Sequence, residues 1–167
     1  MYLALTDLYC ARWSESIHDE WMRNVRTRRS DITQKSLERI RELMDAHVRD
    51  ALVVGYEPLI EAVELPDPDD RHVVACALRC GAETILTFNL RDFPESALAH
   101  YGVRAVHPDE FIVDMLDLDA GKVVKAARSH RAGLRNPPMS PEEYLDCLQR
   151  QGLPHAASEL REYARLL

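Results

Sequence analysis

The sequence predicts an α/β fold: a parallel sheet flanked by helices, followed by an all-helical C-terminal extension. Two patterns carry this. Up to about residue 118, short apolar runs alternate with stretches of 3.6-residue apolar period, as strand–helix–strand units do. From about 119 onward only the helical period remains. The division is therefore an α/β domain over 1–118 and a helical extension over 119–167. A third observation bounds both parts. Hydrophobic residues make up 46% of 167, enough for a real core and too many for a disordered chain.

Taken in order, "YLALTD" reads as the last turns of a helix and "LYCARW" as a short strand. Ser14 is a good N-cap for "ESIHDEWMRNV", where Ile17, Trp21 and Val25 make an apolar stripe with Glu20 beside it. A second helix covers about 33–48, with Leu37, Ile40, Leu43, Met44 and Val48 inward. "ALVVGYEPLIEAVELPDPDD" is broken by Gly and Pro, with a strand near Ile60 to Glu64. A helix then runs from about Asp70 to Cys80, with Asp69 or Asp70 as N-cap and Gly81 as C-cap. "ETILTF" and "VRAVHP" are buried strands, and "PDEFIVDML" starts a helix. The extension holds helices near 119–132, 141–151 and 154–166, the second capped by Ser140 with Pro141 at its first position.

Composition excludes several classes. No apolar run approaches the length of a membrane span, and the first residues lack the basic start of a signal peptide, so a soluble cytoplasmic protein is expected. Cys10, Cys76, Cys80 and Cys147 lack zinc-ligand spacing and read as buried free thiols. The net charge is −7 but uneven: −10 over 1–119 and +3 over 120–167. Such an acidic domain does not attract nucleic acid in bulk; it needs metal ions at its acids, local basic patches such as "RTRR" (26–29), or both.

The acids cluster at one predicted edge. In an open parallel sheet, ligands bind beyond the carboxyl ends of the strands. Glu20, the pair Asp69 and Asp70, and the pair Asn89 and Asp92 all fall there. Clustered carboxylates repel one another unless balanced, and all-oxygen ligands suit Mg²⁺ or Mn²⁺. A metal there would support phosphodiester hydrolysis. The plainer alternative is that Asp67, Asp69 and Asp70 form a turn with an N-cap, and that Asp92 is a loop residue. Arg71 and Arg91 flank the acids and suit either RNA phosphates or ion pairs. His72 suits packing or a hydrogen bond on the first helical turn. Trp13 and Trp21 suit the core.

Taken together, "LPDPDDRHVVACAL", "ETILTFNLRDFP", "HPDEF" and "NPPMSPEEYLDCLQRQGLP" resemble the PIN-domain proteins of the VapC-like toxin type. The resemblance implies a PIN-like sheet and a Mg²⁺- or Mn²⁺-dependent endoribonuclease site. It implies a structured RNA substrate and a cognate antitoxin. Position by position, Glu20 matches the family's second acid and Asp70 its third. Asn89 and Asp92 match the fourth region, with Asp92 the carboxylate and Asp69 a helper. One departure stands out: the family's first strand, which ends in the first catalytic Asp, has no counterpart here, and Asp7 does not replace it. The expectation is therefore of an N-terminally truncated chain. A second chain or a homodimer mate would supply the strand, or the protein would be an inactive remnant that binds only antitoxin or RNA. A phosphatase-like hydrolase with Asp92 as nucleophile is a further alternative.

Overall fold

The computed structural model describes all 167 residues. In chain order the regular elements are α1 (Glu15–Arg28), α2 (Gln34–His47), α3 (Arg71–Cys80), β1 (Thr84–Leu86), α4 (Glu95–Leu98), β2 (Arg104–Val106), α5 (Pro108–Gly133), α6 (Pro141–Arg150) and α7 (Pro154–Arg161). Short 3-10 turns join them. The molecule is mostly helical, with one small parallel sheet of β1 and β2.

The helices form where the sequence signals them. Ser14 caps α1 through the Ile17 N–H, and Thr33 caps α2 through the Ser36 N–H. Gly81 ends α3 in the left-handed region at φ 69°, where a side chain would be strained. Ser140 and Glu143 make a reciprocal capping box at the start of α6.

Two expected strands do not form. "LYCARW" yields only Trp13, which makes a one-residue parallel bridge to Leu52. Trp13 donates to the Ala51 carbonyl, and Val53 donates back to Trp13. The ladder stops there because Ser14 already begins α1. The strand near Ile60 to Glu64 is instead a 3-10 turn, Glu57–Ala62, with Pro58 in its first positions. Proline supplies φ for a helical turn and lacks a ladder donor. The apolar faces also shift. The residues α1 buries fully are His18 and Met22, beside the stripe of Ile17, Trp21 and Val25. On α2 Leu37 is buried whereas Ile40 is exposed. Of the cysteines, Cys76 is buried and Cys10 exposed, and all four are unpaired.

The chain forms two compact units. One comprises Cys10–Ile85 and Asn89–Ala105. Its core centres on α3, where Val74 and Ala75 are wholly buried and pack with Val53, Tyr56, Val63, Ile85, Phe93 and Leu98. A buried polar group ties α1 to α2: His18 is wholly inaccessible, its Nε2 lies 3.0 Å from Asp45 Oδ1, and Trp21 donates to its Nδ1 at 2.9 Å. Trp13 donates to the same Asp45 oxygen at 2.7 Å. Trp13 is buried and Trp21 partly buried, and the ring N–H of each is taken up by a hydrogen bond.

The other unit comprises Met1–Tyr9, Leu86–Phe88 and Val106–Leu167. Its α5 is bent at Asp119, whose φ and ψ are non-helical. The Asp119 side chain accepts from the Lys122 N–H at 3.0 Å and so restarts the helix. Leu145 on α6 and Ala156 and Ala157 on α7 are fully buried. The small residues let α6 and α7 approach closely. Asp109 on α5, 4% exposed, caps α7: its carboxylate accepts from the His155 and Ala156 N–H groups at 3.1 and 2.8 Å, and lies 2.8 Å from His155 Nδ1.

Candidate active site

The acids flagged by the sequence all lie in the α3-centred unit. Glu20 sits in the second turn of α1, on a half-exposed face. Asp70 is the residue immediately before α3. Asp92 ends the 3-10 turn Leu90–Asp92, and Asn89 Nδ2 donates to its Oδ2.

Asp70 holds the expected N-cap position of α3, but the side-chain capping bond is made one turn earlier. Asp67, not Asp69 or Asp70, turns its carboxylate back onto the chain, accepting from the Asp69 N–H at 2.9 Å. Asp67 precedes Pro68, which has no N–H and presets the turn, so the first free amide is that of Asp69. The Asp70 side chain makes no capping bond. It is left to face its surroundings.

Those surroundings are acidic. Burial, then the charges of Glu20, Asp67 and Asp92, push the Asp70 carboxyl up to about 6. Glu20 and Asp92, distant in sequence, thus both act on Asp70. Asp69 and Arg91 are exposed and form no ion pair with the cluster. Arg71 is partly buried, and its Nε has no hydrogen-bond partner.

His72 is the residue whose part was least legible. Its Nε2 lies 3.2 Å from Glu20 Oε2, its side chain is 14% exposed, and its Nδ1 is buried without a partner. The bond from His72 is the largest influence on Glu20, whose carboxyl is held below its ordinary value. Asn24 and the charge of Arg23 act in the same direction. The imidazole thus ties α1 to the start of α3 and fixes one oxygen of Glu20. The only sequence signal was a histidine two residues after an acid at a helix start, a pattern that ordinary packing also produces.

This gives a first expectation. In His72→Leu the donor is lost and Glu20 stands near Asp70 with less cationic support. Its carboxyl should titrate at higher pH than in the wild type. A ¹³C NMR titration of the glutamate carboxyls reads this directly, and an unmoved Glu20 would show that His72 does not hold it.

The cluster suits a hard divalent cation in donor type and in unbalanced charge. No three His, Cys, Asp or Glu side chains converge closely enough to form a complete protein cage. Mg²⁺ does not require one: it keeps several waters and binds through one or two carboxylates together with substrate phosphate.

Comparison with known proteins finds two likenesses. Residues 108–162 match the family described as the VapC50 C-terminal domain. The chain is also 39% identical over 111 residues to the protein called "Putative ribonuclease VapC50" of Mycobacterium tuberculosis. That match covers 66% of this chain and 64% of the relative. In sequence the chain is VapC-like. It spans somewhat under two thirds of the relative's length. No solved structure matches it. No helix is long and apolar enough to cross a membrane.

Proposed function

We propose that the chain is a PIN-type endoribonuclease, the toxin of a toxin–antitoxin pair, that hydrolyses RNA phosphodiesters at Glu20, Asp70 and Asp92 with Mg²⁺ or Mn²⁺. The observation that carries this reading is the partial burial of Asp70 together with the nearby charges of Glu20, Asp67 and Asp92, which raise its carboxyl. The resemblance to a protein named as a ribonuclease gives the charge a use.

Glu20, Asp70 and Asp92 would hold the cation. A bound cation would lower the pKa of a water and offset charge on the phosphate. The chain's own residues prepare the site. His72 orients Glu20 through Oε2. Asn89 orients Asp92 in the same way. Arg91, exposed beside Asp92, can engage a flanking phosphate.

A second reading keeps the fold but not the chemistry: a binding-only PIN protein that docks antitoxin or RNA. The lack of three converging ligands favours it. Calorimetric titration with Mn²⁺ separates the two. The ribonuclease reading expects binding, weak for a site with few protein ligands, that is lost in Asp70→Asn and weakened in Glu20→Gln and Asp92→Asn. Identical titrations for all four proteins would favour the binding-only reading.

A further inference from the structure

The molecule carries a net charge of −7, so a polyanion must be drawn to it by a local surface. Six of the twelve arginines of the α3-centred unit are engaged by side-chain or backbone acceptors. Arg29 makes two parallel bonds to Asp31, Arg39 bonds Glu42, Arg41 bonds Glu15, and Arg26 donates to Gln34. Arg12 and Arg79 donate to backbone carbonyls. Arg23, Arg28, Arg49, Arg71, Arg91 and Arg104 form no ion pair within hydrogen-bonding distance, and of these Arg23 and Arg28 are the two exposed on α1, the helix that carries Glu20.

Their place on the helix is specific. Each residue advances about 100° around an α-helix. Counted from Glu20, Asn24 and Thr27 lie within about 40° of its line, Arg23 lies about 60° to one side, and Arg28 about 80° to the other. The line runs about 12 Å from Glu20 to the level of Arg28, at 1.5 Å per residue. Two observations fix its orientation. The opposite face of α1 is occupied, since His18 and Met22 are buried. The edge toward α2 is occupied as well, through Glu15 with Arg41 and Arg26 with Gln34. Asn24 and Arg23 are also the neighbours that act on Glu20 itself.

We infer that the solvent face of α1 beyond Glu20 is the track along which the RNA backbone leaves the acidic site, with Arg23 and Arg28 holding phosphates on either side and Asn24 and Thr27 forming its polar floor. The inference rests on the ribonuclease reading and gives that site's substrate a direction. Arg28 has no acid partner, and Arg23 makes no close ion pair although its charge acts on Glu20, so both guanidinium groups can displace counterions from RNA. A strand on this track needs no net positive protein, only local positive charge beside a site where a bound cation would offset the acids.

The test needs no catalysis. Binding of a fluorescein-labelled single-stranded RNA of about 12 nucleotides is followed by anisotropy in EDTA across a salt series. Arg23→Ala and Arg28→Ala should each weaken binding at least about threefold and lower the slope of log affinity against log salt by about 0.7 for each phosphate no longer held. Arg39→Ala, which removes an arginine paired on α2, should change neither. A wild-type chain that binds while folded Arg23→Ala and Arg28→Ala keep its affinity and slope would overturn the track alone. A wild-type chain that binds no RNA, in EDTA or in Mn²⁺, would overturn the track and the ribonuclease reading together.

Discussion

Asp70→Asn should make the protein more stable than the wild type at neutral pH while removing its cleavage of RNA. The stability half follows from the acid crowding. In the folded chain Asp70 keeps its proton to about 6, against an ordinary value of 3.8. Between those values the folded state binds more protons than the unfolded state, so stability falls as pH rises through the window. The full cost is present above about pH 6. Because Asp70 is partly exposed, solvent screening reduces that cost to on the order of 1 kcal/mol. In a chain of this size 1 kcal/mol shifts Tm by about 2–4 °C. Asn carries no charge, so the variant should melt higher by that amount at pH 7.5 in EDTA, and the difference should vanish near pH 4. A variant that melts lower than the wild type at pH 7.5 would mean that the Asp70 carboxylate is well satisfied, and the site would lose its main electrostatic support.

The second large effect lies in the other unit. Asp109→Ala should destabilise the fold by about 2–4 kcal/mol, since it removes an N-cap and strands the His155 and Ala156 N–H groups that the carboxylate now accepts from. Tm should fall by roughly 10 °C, read by circular dichroism. Burial pushes the Asp109 carboxyl up, but the bonds from Ala156 and His155 outweigh it and hold the group below its ordinary value. The contribution of Asp109 is therefore present at neutral pH and lost as pH falls through the folded value. Asp109→Asn, which keeps one acceptor oxygen, should fall between the two. An unchanged melt in Asp109→Ala would show that α7 is held by Leu145, Ala156 and Ala157 alone.

The two effects have opposite signs for one reason. Asp109 is surrounded by donors, whereas Asp70 is surrounded by acids.

Much of this was legible in the chain itself. Ser14, Thr33, Ser140 and Gly81 mark helix ends through local chemistry, so their places could be read residue by residue. The helices after residue 119 and the strands in "ETILTF" and "VRAVHP" carry patterns strong enough to survive tertiary context. The outcome at "LYCARW" and near Ile60 was not legible, because a short apolar run does not say whether a partner strand will pair with it. Trp13 finds a partner for one residue only, and Pro58 favours a turn.

At the site, Glu20, Asp70 and Asp92 were nameable by acid type and position, and the fold does bring Asp70 under the influence of the other two. The division of labour among the aspartates was not nameable. Asp67, Asp69 and Asp70 look alike in sequence, and only the backbone after Pro68 decides that Asp67 caps and Asp70 is left free. The hold of His72 on Glu20 joins residues 52 positions apart, a pairing no local pattern reveals.

The central claim is that Glu20, Asp70 and Asp92 form one cation-dependent hydrolytic site. Its most direct test is cleavage of an end-labelled RNA by the folded chain in Mn²⁺, beside the same reaction in EDTA and with Asp70→Asn. The account predicts cleavage by the wild type in Mn²⁺ and none in either control. Cleavage that persists in Asp70→Asn, or a folded wild-type chain that leaves RNA intact in Mn²⁺, would contradict it.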